Sequence, residues 1–187
     1  MQESLSSSHH PEVPIALIGM MGCGKSRIGR ELATVLGRSF YDSDDEIEEA
    51  AGTTCRDIFE LYGEQAFRDC EAKVLTRLLS GTDTVIATGG GAPLNACVKD
   101  SLFRNSFTVW LNPPLDLVVA RLEDQSAKRP VLQVNKDLSL RDRVQMLMEE
   151  RRSAYEQADC VVQNFDGTSH DLALRIARAF NEKRISL

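Results

Sequence analysis

Short apolar runs rich in β-branched and aromatic residues recur along the chain at Pro14 to Ile18, Ser39 to Tyr41, Thr84 to Ala87, Phe107 to Leu111 and Cys160 to Val162. Runs of this length and composition predict strands buried on both faces. Between them the apolar positions change to helical spacing. Ile28, Leu32, Val35 and Leu36 make one such set, Phe67, Cys70, Val74 and Leu78 a second, and Leu115, Val118, Val119 and Leu122 a third. Two longer helices, at about Leu140 to Tyr155 and Ser169 to Lys183, flank the last strand. Strand and helix alternate, which implies an α/β fold with a parallel sheet covered on both faces.

Punctuation supports these bounds. Gly37 suits the end of the first helix, Gly81 the end of the helix after Phe67, and Pro93 a first helical position after Gly91. The stretch from Gln125 to Asp137 has no clear period, carries Lys128, Arg129 and Lys136, and is long for a connection in a compact domain. We expect an active-site lid there. Residues 1–12 read as a disordered polar leader, in which His9 and His10 receive no role, and residues 13–187 as one domain.

Composition narrows the classes. The chain has 187 residues, 42% of them hydrophobic, which suits one domain with a sizeable core. Its formal net charge of −6 repels phosphate backbones, so nucleic acid is not expected as a partner. The first twelve residues lack the cationic start and apolar centre of a secretory signal, and no stretch is apolar enough to span a bilayer. A monomeric cytoplasmic protein is the expectation. Five cysteines without a CxxC pair argue against a disulfide framework or a zinc site, and are expected to be reduced thiols, mostly in the core.

The chemistry enters at Gly19-Met20-Met21-Gly22-Cys23-Gly24-Lys25-Ser26, which matches GxxxxGK[ST] between a predicted strand and a predicted helix. Glycines let backbone N–H groups turn toward phosphate oxygens where a Cβ would clash. Lys25 would neutralise β- and γ-phosphate charge, Ser26 would offer its hydroxyl to Mg²⁺, and the helix start adds a positive end.

In a parallel sheet, ligands gather at the carboxyl ends of the strands. Asp42-Ser43-Asp44 and Gly89-Gly90-Gly91 fall there. In extended chain the two carboxylates would point to one side, one toward a metal's water and one toward a hydroxyl proton. Helix capping by Ser43 and Glu46 is the competing reading. The glycines are either a mobile turn or a place where a ligand approaches backbone donors. Arg68 pairs with Glu64 at i, i+4 in the plainer reading.

Taken together, the chain resembles the shikimate kinases, small ATP-dependent enzymes that phosphorylate the 3-hydroxyl of shikimate on the route to chorismate and the aromatic amino acids. The resemblance lies in GMMGCGKS (Gly19 to Ser26), FYDSDDEIE (Phe40 to Glu48), GEQAFRDCE (Gly63 to Glu71), ATGGGA (Ala87 to Ala92), KRPVL (Lys128 to Leu132) and ERRSAY (Glu150 to Tyr155). It implies a five-stranded parallel sheet of order 2-3-1-4-5 with a lid and a substrate-binding helical region. It implies ATP and Mg²⁺ as cofactors and shikimate as the small-molecule partner.

By the same resemblance Asp44 is the substrate base, and Asp42 with Ser26 serves the metal. Gly22, Cys23, Gly24, Lys25, Ser26, Arg121 and Arg129 serve the nucleotide; Arg27 either meets the α-phosphate as a cation or faces solvent. Arg68 and Arg151 hold the substrate carboxylate, with Arg152 the alternative to Arg151; Glu71 orients Arg68, and Gly89, Gly90 and Gly91 contact substrate. Lys25, Asp44 and Arg129 form the catalytic set. Two positions depart from the family: Arg27 stands where a hydroxyl residue is usual, and Cys23 where alanine or serine is commoner. Another small-molecule kinase, such as a gluconate kinase, and a catalytically silent nucleotide-binding relative remain as rival readings.

Overall fold

The computed structural model describes residues 13–123, 137–163 and 165–185, with side chains described as far as residue 183. Five strands, β1 (Ile15–Ile18), β2 (Ser39–Asp42), β3 (Thr84–Ala87), β4 (Phe107–Leu111) and β5 (Cys160–Val162), form one parallel sheet of order β2-β3-β1-β4-β5. Helices α1 (Lys25–Leu36), α2 (Ser43–Ala51), α3 (Cys55–Leu79), α4 (Lys99–Asn105), α5 (Leu115–Leu122), α6 (Leu140–Tyr155) and α7 (Ser169–Ile185) cover it. The order is the one the resemblance implied, and the predicted strands are found to within one residue at each end.

The strand period of two divides the core. Along β1, Ile15 and Leu17 face a layer with Ile28, Leu32, Ile176 and Phe180 of α1 and α7, while Ala16 and Ile18 face Ile47, Leu75, Leu102 and Tyr155 of α2, α3, α4 and α6. All four β1 residues are fully buried, which is why the run carries no polar alternation. A third cluster, Met20, Val118, Leu122 and Val144, packs α5 and α6 over the loop after β1.

Helix boundaries follow local chemistry. Gly37 ends α1 in the left-handed conformation at φ 66°, as its position predicted. The helix after Phe67 is the second half of a 25-residue helix that kinks at Gly63, and it closes on Ser80; Gly81 lies one residue beyond and donates to the Leu78 carbonyl. Pro93 sits in a short 3₁₀ turn, Ala92–Leu94, after the three glycines. The apolar periodicity gave no sign of α2, which has only one well-buried apolar residue, Ile47, and which the sequence offered only through the capping box at Ser43 and Glu46; α4, just 7 residues long, was not anticipated. Of the cysteines, Cys23 is buried, Cys97 exposed and the others half-buried, so the expectation of core thiols fails at Cys97.

One polar tie fixes β5 to the sheet. Asp159 Oδ2 accepts from the Thr108 amide and hydroxyl, both at 2.8 Å, the Asp159 amide donates back to Thr108 Oγ1 at 3.0 Å, and Lys183 pairs with Oδ1. Burial pushes this carboxyl up, but the hydrogen bonds from Lys183 and Thr108 outweigh it and hold the group below the usual carboxylate range. A depressed folded-state value stabilises the fold above the unfolded pKa and loses that contribution as pH falls through the folded one. Asp159→Ala should therefore cost about 1–3 kcal/mol near neutral pH. Urea melts of both proteins should show the gap narrowing below roughly pH 4.

Candidate active site

The loop after β1 is shaped by its glycines. Gly22 and Gly24 hold φ of 77° and 101°, which residues with a Cβ rarely adopt, and Gly24 caps α1 without any side-chain hydrogen bond. The first turn of α1 carries no acidic residue, so its amide N–H groups and positive end are left for an anion. Lys25 Nζ folds back onto the carbonyls of Gly19 (2.8 Å) and Met20 (3.0 Å). Arg121, from the end of α5, donates to the carbonyls of Gly22 and Cys23, both at 3.2 Å. Cys23 is fully buried under the loop.

Asp42 ends β2 and also caps α2, its Oδ1 accepting from the Asp44 amide at 3.1 Å while Oδ2 accepts from the Ser26 hydroxyl at 2.5 Å. Capping thus occurs, but through Asp42, not through the anticipated pair: the Ser43 hydroxyl is buried and accepts from the Gly89 amide at 2.8 Å, and Glu46 pairs with Arg77. Asp44 is in the first helical turn, so the two carboxylates share a cavity through the strand-to-helix corner and not through extended-chain alternation. That cavity, about 740 Å³, is lined by Gly22, Gly24, Lys25, Ser26, Arg27, Asp42, Asp44, Gly90 and Arg121 among others.

The residues expected to serve the substrate, Asp44, Arg68, Glu71 and Arg151, meet at Gly89-Gly90-Gly91. A Cβ on Gly89 would lie 2.7 Å from Glu71 Oε1 and 3.2 Å from Asp44 Oδ1; one on Gly90, 3.0 Å from Arg151 Nη1; one on Gly91, 2.6 Å from Arg68 Nη1. None of the three has positive φ. Glycine here gives room to charged side chains, which a Cβ would push from their present places, and is not needed for backbone conformation.

Arg68 pairs on two sides. It bonds Glu64 on the surface, with Nη2 at 3.2 Å, and Glu71 in the interior, with Nη1 at 3.0 Å. Burial works against its charge, yet Glu71 and Glu64 hold its pKa above the ordinary value. Arg151 is buried, while Arg152 is exposed on the same helix. Among the described residues no carboxylate pairs with Arg151; its Nη1 approaches Met20 Sδ at 4.0 Å and its Nε is buried without a hydrogen bond. One helical turn on, the Tyr155 hydroxyl donates to the Gly90 carbonyl at 2.6 Å. Burial pushes this phenol up to about 12 against the pull of Arg151, so it remains a donor at neutral pH. Arg129, with Lys128, Lys136 and nearly all of the expected lid, lies outside the described residues.

Sequence reasoning did not anticipate the cavity wall formed by Thr88, Phe165, Gly167, Thr168, Ser169 and Leu172. A signal was present in Thr168-Ser169-His170-Asp171, a capping box in which the Thr168 amide donates to Asp171 at 2.7 Å and the Asp171 amide to Thr168 Oγ1 at 3.2 Å. It marks the start of α7 and brings the preceding loop to the strand rim.

Comparison with known proteins agrees with this architecture. The family model for shikimate kinase matches residues 21–181. The shikimate kinase of Bartonella quintana is 36% identical over 165 residues, 88% of this chain and 77% of that protein. That of Nitrobacter winogradskyi is 43% identical over 152 residues, 81% of this chain and 69% of its own. The solved structure of Acinetobacter baumannii shikimate kinase in complex with shikimate superposes with a TM-score of 0.85 at 37% identity, covering 92% of this chain and 94% of that one. With sheet order, phosphate loop and the charged cluster at the three glycines all in place, the chain belongs to the shikimate kinase family.

Proposed function

We propose that this protein transfers the γ-phosphoryl group of ATP to the 3-hydroxyl of shikimate, giving ADP and shikimate 3-phosphate, with residues 13–187 acting as one catalytic domain. The observation that carries the reading is Arg151, a guanidinium only 5% exposed that has no carboxylate partner among the described residues. A buried cation is costly unless an anion meets it. Shikimate brings a carboxylate, and Arg68 stands at the adjacent glycine to share it. Gluconate is also a carboxylate, so this observation is joined to the family membership in favouring shikimate.

The residues fit ATP and Mg²⁺. The unacidified start of α1 and Lys25 suit the phosphates, Lys25 exchanging two backbone carbonyls for phosphate oxygens. The adjoining oxygens of Ser26 and Asp42 are the hard donors that Mg²⁺ prefers, and when bound the ion neutralises charge on the phosphate oxygens. Arg121 and the wall from Phe165 to Leu172 enclose the other end of the cavity, where we place the base. Arg27, which lines the cavity and forms no ion pair within the described residues, is positioned for the α-phosphate in place of the family's hydroxyl. Asp44 takes the proton from the attacking hydroxyl, which is why it must share both the nucleotide cavity and the glycine turn. Arg129 is retained, on resemblance alone, as the arginine that meets the transferring phosphoryl group.

Purified protein should form ADP only with shikimate and Mg²⁺ present, and not with gluconate or without acceptor. Equal ADP formation with and without shikimate would overturn the reading. Asp44→Asn should lower kcat by roughly 10²- to 10⁴-fold, since an amide cannot accept the hydroxyl proton; near-normal turnover would reduce Asp44 to a helix-start residue. In Arg68→Ala the shikimate dissociation constant should rise at least about tenfold, the usual scale for a lost charged hydrogen bond, with ATP affinity by calorimetry unchanged. An unaltered shikimate affinity would leave Arg68 as the surface partner of Glu64.

A further inference from the structure

Behind the acceptor side lies a residue that none of the motifs assigns. Asn95 follows the 3₁₀ turn after the three glycines and is 8% exposed. Its Nδ2 donates to the Arg68 carbonyl at 3.0 Å and to Glu71 Oε2 at 3.2 Å, while its Oδ1 accepts from the Cys97 amide at 3.1 Å. These partners allow one amide orientation. Turned over, the oxygen would face a carbonyl and a carboxylate, and the NH₂ would face an N–H. Asn95 is therefore a fixed donor to Glu71.

That fixity matters because Arg68 has two acceptors to choose between. Glu64, with its side chain 62% exposed, draws the guanidinium toward solvent; Glu71, fully buried, draws it inward against Gly91. Glu71 Oε2 receives both Arg68 and Asn95, and its Oε1 lies against Gly89 without a hydrogen bond. Without the second donor, the buried carboxylate would keep only Arg68 and lose the contact that sets its plane.

We propose that Asn95 is a positioning residue that anchors Glu71 so that Arg68 is held inward, where it receives the acceptor's carboxylate; the inference rests on the reading of Arg68 given above. Asn95 does not touch substrate. It links the segment after the glycine turn to the main chain of α3 at Arg68, so that the turn and the arginine keep one spacing.

The full chain carrying Asn95→Ala or the isosteric Asn95→Asp tests this. In Asn95→Ala the KM for shikimate should rise roughly tenfold or more, as for a lost hydrogen bond to a charged group, with kcat within about twofold of wild type. ATP affinity by calorimetry should be unchanged, which also shows that the variant is folded. In Asn95→Asp a new carboxylate faces Glu71. The other charges nearby are Arg68 on α3, with Asp44 of α2 and Arg151 of α6 across the glycines. Near pH 8 its shikimate KM should exceed that of wild type, and it should fall back as pH is lowered to about 6, because one proton shared by the two carboxyls restores a donor between them. Wild type should lack this dependence, and a mere packing defect would not create it. Shikimate KM within twofold of wild type in both variants, or losses in ATP affinity equal to those in shikimate affinity, would overturn the proposal. Wild-type protein without shikimate-dependent turnover would overturn the underlying assignment of Arg68, and this inference with it.

Discussion

Three successive residues without side chains let four charged groups close on a single turn. Glu71 and Arg68 from α3, Asp44 from α2 and Arg151 from α6 all reach the end of β3, and each stops within about one van der Waals contact of a glycine position. A methyl group at Gly89 or Gly91 would overlap a charged group by several tenths of an ångström. Backbone groups at the same turn are used as well. The Gly89 amide binds the Ser43 hydroxyl and the Gly90 carbonyl receives Tyr155, so one turn ties α2 to α6.

The charges gathered there are arranged asymmetrically. Glu71 is compensated by Arg68 and Asn95, whereas the buried Arg151 has no carboxylate among the described residues. A buried guanidinium without an anion among the described residues is costly, and the acceptor carboxylate proposed above would offset that cost. At the other end of the cavity the same logic holds for the start of α1, whose first turn contains no acid, while the neighbouring α2 places Asp44, Asp45 and Glu46 in its own first turn. Two helices starting on one strand rim therefore differ in what they bring to the shared space: the start of α1 brings no acid, and α2 brings Asp44, while Asp45 and Glu46 pair with Arg30 and Arg77.

The chain itself carried much of this. Buried runs such as Ile15–Ile18 and Phe107–Leu111 announce strands because a sheet covered on both faces has no polar side, and Gly19 to Ser26 announces a phosphate site because few other uses demand that spacing between strand and helix. Sheet order and the acceptor residues came through resemblance, not periodicity. Local reasoning left Asp42 and Asp44 between capping and chemistry; the fold shows that the two do not compete, because one oxygen of Asp42 caps the helix while its twin meets Ser26.

Tertiary structure alone decided the rest. That Arg151 turns inward and Arg152 outward depends on which side of α6 faces Gly90, a matter of one residue in register that composition cannot express. Asn95, the wall from Phe165 to Leu172 and the true partner of Ser43 were invisible because a single amide or hydroxyl has no pattern until folding sets its partners 24 to 46 residues away beside it. Sequence by itself determines periodicity, turn chemistry and motif spacing, which are local properties of the chain; burial and pairing of polar groups are relations between distant segments, and only the packed fold sets them.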